Sequence, residues 1–268
     1  MKIRCRIPTR FVPRPAVSAR SDSPGSWIRW PGRSDVNKVQ SVQKTFRELG
    51  FANGLWLAVH RMLTKVTGGQ AQVFRYYLVV QPVPTESVLG ARASAASTVR
   101  QVGPDDPRVG DFPRPAEVIA NRFAGDSKCY VAEVKDRFAG YLWLAFNAYE
   151  EDEVRCRFEM LEPGISVWDY DVYVAPEFRL GRTFVRLWDA ANHDLAQRGV
   201  RWTFSRISAF NAGSMGAHRR MGMAPLFIAT FVCLGRVQLS LFGVAPFIHI
   251  GWNDGQRPVL ELRVPKHA

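Results

Sequence analysis

Asp169 and Asp171 stand two residues apart in a run, 165–174, of apolar, β-branched and aromatic residues. Such a run reads as a buried strand, and a strand's two-residue period puts both carboxylates on one face. A carboxylate pair on one face raises one member's pKa toward a value useful in a general base. Glu133, in a second strand-like run at 128–135, is a third candidate; strand-end carboxylates are also often simply solvated. Pro176 stops the first run, and the turn after it carries Arg179, Gly181 and Arg182. Beyond the turn, apolar residues at Phe184, Leu187, Trp188, Ala191 and Leu195 have the spacing of a helix with one buried face. Strand, turn and helix in that order leave free backbone N–H groups at a helix N-terminus, a site suited to a pyrophosphate. His218 adds an imidazole able to exchange a proton near neutrality, or to serve as an ordinary half-exposed helix residue beside Arg219 and Arg220.

The elements that must hold these residues can be read around them. Residues 201–208 have the content of a short buried strand. Asn211 can cap a helix that runs to Met221 and stops at Gly222. Upstream, 73–80 reads as a first strand, 86–114 as loop or partly helical connection, and 115–123 as a short helix opened by Pro115. Runs at 128–135 and 137–148 form a hairpin whose acidic end, 150–153, is expected to be solvated. Residues 155–160 continue as a strand, and 225–234 with 237–242 read as a closing hairpin around Gly235 and Arg236.

At these positions the chain resembles the GNAT superfamily of acyl-CoA-dependent N-acyltransferases. Val174-Ala-Pro176-Glu-Phe-Arg179 is similar to the family's entry to its pyrophosphate loop. Asn211-Ala-Gly-Ser214, followed by His218 and Met221-Gly-Met223, is similar to its second signature. Val131-Ala-Glu-Val, then Asp136-Arg-Phe-Ala-Gly140-Tyr141, fits the hairpin of its second and third strands. The resemblance spans about 72–241, with its specific part at 169–223. It implies an α+β (α/β-like) fold: a mixed, mostly antiparallel sheet flanked by helices, here with an N-terminal helical extension. It also implies acetyl-CoA or another acyl-CoA as co-substrate, no metal, and direct attack by a primary amine on the thioester. The backbone of Val172, Tyr173 and Val174 would meet pantetheine in a gap between two splayed parallel strands. Arg179, Leu180, Gly181, Arg182, Thr183 and Phe184 would meet pyrophosphate, with Asn211 and Ser214 opening the second helix. His218 stands where the family carries the tyrosine that protonates the leaving thiolate. The loop departs from the family's pattern: its glycine comes a position early, and bulky Phe184 replaces a small residue that lets phosphate approach the backbone. Arg182 could compensate by pairing with phosphate.

The rest of the chain sets limits. With 268 residues, 47% of them apolar, one substantial core with attached segments is expected. Four scattered cysteines give neither zinc spacing nor a disulfide framework and fit a reducing, cytoplasmic setting. Cys129 and Cys233 read as core thiols. The net charge of +12 is concentrated at the start: residues 1–35 are rich in arginine, proline and serine and read as a disordered leader, processed or not translated. Residues 36–69 form an amphipathic helical extension, weakened at Gly50 and Gly54, with apolar Val39, Val42, Phe46, Leu49, Ala52, Trp56, Val59, Leu63 and Val66 on one stripe. That helix either packs on the domain or lies against an anionic membrane surface or partner protein through 37–67. The acyltransferase-like domain is expected at 70–242 and a C-terminal tail at 243–268. No clean run of about 18–20 apolar residues survives in 226–252, and no nucleic-acid module, Walker loop or hydrolase elbow is present. Three readings follow: an N-acyltransferase acting on a small or carrier-linked amine, a non-catalytic acyl-CoA-binding module, and a membrane-peripheral or nucleic-acid-binding basic protein.

Overall fold

The computed structural model describes residues 43–87, 89, 97–253 and 255–265. The expected leader, 1–35, and the start of the extension lie outside them. Helix α1 (Phe51–Val66) follows a helical run at 43–49, and the break falls at Gly50, whose φ of +78° is the left-handed region that glycine enters freely. The strands are β1 (Ala71–Pro82), β2 (Ser97–Val102), β3 (Ser127–Val134), β4 (Arg137–Ala145), β5 (Ala148–Glu150), β6 (Arg157–Met160), β7 (Ser166–Val174), β8 (Trp202–Ser208), β9 (Ala224–Leu234), β10 (Val237–Phe242), β11 (Ile248–Gly251) and β12 (Val259–Leu262). Three further helices are α2 (Ala116–Ala124), α3 (Thr183–Gln197) and α4 (Ala212–Arg220).

Nine strands form one sheet in the order β11-β10-β9-β1-β8-β7-β4-β3-β2. Every neighbouring pair in it is antiparallel except β7 and β8. The mixed, mostly antiparallel sheet flanked by helices is therefore the architecture present. One face packs Leu142, Leu144 and Val167 under Leu187, Trp188 and Leu195 of α3. The other buries an aromatic cluster that includes Tyr141, Trp143, Trp168 and Phe204. A small sheet, β12-β6-β5, joins that second core through Phe158, Tyr149 and Leu260.

Several expectations need correction. The stretch read as loop, 86–114, contains β2, an edge strand with an exposed, polar outer row that hides its period. The segment expected as a tail, 243–268, supplies β11 on the edge of the large sheet and β12 beside β6. The acidic end of the hairpin is not simply solvated: Glu151 is buried and accepts two hydrogen bonds from Arg206, at 2.6 and 2.9 Å. On α1 the stripe residues Trp56, Val59 and Leu63 are half-buried, but a second apolar row faces outward.

Candidate active site

Strands β7 and β8 pair in parallel only at Ser166–Trp202, Val167–Thr203 and Trp168–Phe204. Past those pairs the two strands separate. Residues 169–174 of β7 and 205–208 of β8 keep their outer partners, β4 and β1, but have no ladder between them. The result is a fork with two unpaired inner edges, on which an extended polyamide arm could hydrogen-bond as an added strand does.

A bulge in β7 shapes one arm of the fork. Tyr170 and Tyr173 pair with Trp143 and Tyr141, so β7 carries one residue more than β4 between the same pairings. Asp171 sits in the bulge at φ +46°, a conformation aspartate tolerates better than most residues. Gly140 is needed opposite, because a Cβ there would run into the Tyr173 carbonyl oxygen. The bulge overturns the expected carboxylate pair. Asp169 pairs with Leu144 and lies on the α3 face, whereas Asp171 reaches Tyr141, Arg114 and Arg122 on the aromatic face.

Their electrostatics diverge accordingly. Asp169 is fully enclosed one step past the last β7–β8 pair, and burial pushes its pKa well above the usual carboxylate range against a hydrogen bond from Ser205. Burial also opposes ionisation of Asp171, but hydrogen bonds and charge from Arg114 and Arg122 outweigh it and hold that carboxyl below its ordinary value. Arg114 Nε donates at 3.0 Å and the Tyr141 hydroxyl at 3.0 Å. Glu133 joins neither carboxylate: it is bound by Arg100 at 3.0 Å and Arg108 at 3.2 Å on the outer part of the sheet. As candidate bases, then, one aspartate is buried where its protonated form is favoured, the other is paired with two arginines, and Glu133 lies in a separate ion-pair network.

The loop after β7 is exposed at Arg179, Leu180, Gly181 and Arg182. It descends through a tight turn, Pro176–Phe178, and Gly181 N donates to Phe178 O at 3.1 Å. Helix α3 then begins at Thr183 with no side-chain cap and no acidic residue in its first turn. Its first N–H groups have no intrahelical partner and, with the helix dipole, favour an anion. Helix α4 differs: Asn211 Oδ1 accepts from Ser214 N at 3.0 Å, so both residues serve the cap. Val172, Tyr173 and Val174, expected from the sequence to meet pantetheine, lie along the open arm, half-buried, and the Val174 carbonyl accepts from Arg179 Nε at 3.1 Å.

Between α3 and α4 the space is filled. The His218 ring is buried, and Phe184 and Trp188 both stand edge-on to it with centroids 5.9 Å away. Burial pulls its pKa down to about 4, so it is neutral at neutral pH. Its Nδ1 lies 3.3 Å from Gln81 Oε1 on β1. With Nδ1–H donated there, Nε2 keeps its lone pair and can accept; in the other tautomer Nε2 carries the proton. Around the ring, the side-chain polar atoms Gln81 Nε2, Trp188 Nε1 and Thr203 Oγ1 are buried with no hydrogen-bond partner among the described residues. Sequence reasoning missed Gln81, Ser205 and Thr203, which look like ordinary strand residues until the register sets them beside the fork. A concavity of about 530 Å³ lies elsewhere, between α3 and the β2–β3 edge. Its polar groups include internal pairs, Tyr130 to Asp194 and Ser87 to Asp189, so it offers less chemistry than the fork.

No protein-family model matches the sequence, and no curated protein matches it significantly. Among solved structures, it is similar to a functionally unknown conserved protein from Staphylococcus epidermidis (13% identity over 76% of this chain and 81% of that one, TM-score 0.45). It is also similar to a tandem GNAT protein from the clavulanic acid biosynthesis pathway (14% identity, 60% of this chain, 54% of that one, TM-score 0.40). A third is AAC(6')-Iy bound to a bisubstrate analogue, CoA-S-monomethyl-acetylneamine (19% identity, 47% and 89%, TM-score 0.35). With TM-scores below 0.5 these likenesses carry no argument of their own; the strand order, the fork and the loop do.

Proposed function

We propose that this chain is a GNAT-type N-acyltransferase that moves an acyl group from acetyl-CoA, or a longer acyl-CoA, to a primary amine. The observation that supports this most is the fork: a single parallel pair of three residue pairs, opening directly onto an uncapped helix N-terminus. The pyrophosphate is held by the N–H groups at the start of α3, with Arg179 and Arg182 beside it. The pantetheine arm hydrogen-bonds along Val172, Tyr173 and Val174, displacing the Arg179 side chain from the Val174 carbonyl. That placement carries the thioester toward the closed end of the fork, and holding donor and amine together removes much of the entropic barrier.

The amine nitrogen attacks the thioester carbonyl carbon and the C–S bond breaks; Asp169 gives its proton to the departing sulfur, and the proton lost by the nitrogen passes to the Asp169 carboxylate left behind, restoring it. Asp169 is the group at the fork whose burial favours the protonated form, and it takes the role of proton donor to sulfur. Asp171, paired with Arg114 and Arg122 on the opposite face, takes no part in this step and belongs to the bulge that shapes the fork. His218 lines the closed end and can accept a hydrogen bond there.

A second reading, a non-catalytic acyl-CoA-binding module, is favoured by one observation: Phe184, Trp188 and His218 occupy the space between α3 and α4. Calorimetry with acetyl-CoA and longer acyl-CoAs, joined to mass spectrometry of the same donors with an amine panel, separates the readings. Binding with acylated amine supports the enzyme. Binding with no product from any donor and amine leaves the module, and a folded protein that binds no CoA species refutes both.

A further inference from the structure

Helix α1 is attached to the sheet largely by polar contacts. Asn53 Nδ2 donates to the Tyr77 hydroxyl at 3.0 Å, Arg75 Nε donates to Asn53 Oδ1 at 3.2 Å, and Val73 N donates to His60 Nδ1 at 3.1 Å. Arg75 also lies over the Trp56 ring at 5.6 Å. The opposite side of the helix carries Phe51, Leu55, Ala58, Met62 and Val66, a row at spacings of four, three, four and four that is exposed throughout. Leu55 and Met62 are 51% and 57% exposed. A helix usually turns such a row inward.

The sheet beside α1 is half-covered on the same face and open toward its edge. Val73, under the helix, is in register with Val232, then Leu239, then Ile250; Arg75 is in register with Thr230, Leu241 and Ile248. These two rows run from beneath α1 to the edge strand. Ile248 and Ile250 are 63% and 52% exposed there, and Leu234 and Val237 are also exposed. Helix row and strand rows together make an open apolar surface of a kind that monomeric soluble domains rarely show.

Charge chooses the occupant. Neither 51–66 nor 224–252 contains one aspartate or glutamate, while they carry Arg61, Lys65 and Arg236. Two copies meeting through this face would set like charges against each other, whereas an anionic lipid surface complements them. No helix among the described residues is long and apolar enough to cross a membrane, so the contact is one of lying on the surface. We propose that the outer row of α1 and the open face of β9, β10 and β11 form a docking surface for an anionic lipid bilayer. The inference does not depend on acyl transfer.

Flotation of the full chain with vesicles of phosphatidylcholine, alone or mixed with phosphatidylglycerol, tests this at low and high salt. The wild-type protein is expected to bind the mixed vesicles, and to do so less in high salt as charge is screened. Leu55→Asp with Met62→Asp, and separately Ile250→Asp, should each weaken that binding by about tenfold or more. All three side chains are exposed, so circular dichroism and melting should be unchanged. No preference for the anionic vesicles overturns the proposal. So does binding that salt abolishes but the apolar variants leave intact, since the basic residues before position 43 would then carry it. A wild-type dimer in sedimentation that the same variants split, with no vesicle binding, assigns the surface to a second copy instead.

Discussion

Asp169 and His218 are both buried on the α3 face, and burial acts on them with opposite sign. The His218 pKa falls from 6.5 to about 4, so the fold binds fewer protons than the unfolded chain between those values. Its stabilising share is complete above 6.5 and is lost as pH falls to 4, amounting at about 1.4 kcal/mol per pH unit to about 3 kcal/mol. The Asp169 pKa is raised from 3.8, so its share is complete below 3.8 and declines as pH rises through the folded pKa. Between pH 4 and the folded pKa of Asp169, the two slopes oppose each other. Asp169→Asn keeps the shape but cannot ionise. The stability of this variant minus that of the wild type should grow with pH by about 1.4 kcal/mol per unit while Asp169 stays protonated in the fold. Alone, the variant should show the full acid sensitivity set by His218. Urea unfolding at several pH values between 4 and 7.5, buffers matched, measures the difference directly, about 2–3 kcal/mol over two units. A difference that does not change with pH would show that Asp169 ionises normally and would also end its assignment as a proton donor. In activity, the same variant should lose about 10²-fold in turnover with donor affinity kept, the scale of one general acid.

Phe184→Ala should cost about 2 kcal/mol of stability, since the ring is half-buried, yet strengthen acetyl-CoA binding in calorimetry because the ring occupies the space between α3 and α4. Weaker binding would make Phe184 a donor contact rather than an obstruction. Glu151→Gln strands the Arg206 guanidinium over the Tyr76 ring without its buried partner and should destabilise by about 3–5 kcal/mol in urea unfolding. A loss under 1 kcal/mol would mean that Glu153, 2.9 Å from Arg206, suffices alone.

The sequence carried those features that local periodicity and turn chemistry specify. The run ending at Pro176, the helix from Thr183 and the Asn211 cap all announce themselves within a few residues, and they frame the fork. The bulge does not, because a two-residue period assumes an uninterrupted ladder, and the extra residue at Asp171 shows only once β4 is set beside β7. Glu151 looked solvated because its partner, Arg206, is 55 residues away. The edge strands β2 and β11 were hidden for a related reason: an edge strand has one ladder and little need of buried side chains; β12, which buries Leu260 and Leu262, is too short at four residues to show a period. The helix α1 misled most, since its apolar residues form two rows and the sheet takes hold of it partly through Asn53 and His60, residues that no hydrophobic pattern weighs.

The filled space between α3 and α4 bears on how the proposed enzyme would work. The loop before α3 is exposed to a donor, and beyond the Arg179 side chain on the Val174 carbonyl it is the Phe184 and His218 rings that stand in the pantetheine path. Turning a half-buried phenylalanine out removes about 100 Å² of apolar contact, about 2.5 kcal/mol at 25 cal/mol per Å². If nothing replaced it, donor affinity would fall by about 70-fold. A pantetheine arm laid in the fork does replace it, covering the same walls and meeting the unpaired Thr203 and Gln81 groups, so most of that loss is returned on binding. The donor therefore selects an opened arrangement that the free protein populates at about 1%. Phe184→Ala then removes the opening step and leaves the anion site intact, so any gain in affinity should be the same for acetyl-CoA and free CoA but absent for a nucleotide pyrophosphate lacking the arm. An equal gain for the arm-less nucleotide would place Phe184 at the phosphate rather than in the path of the arm.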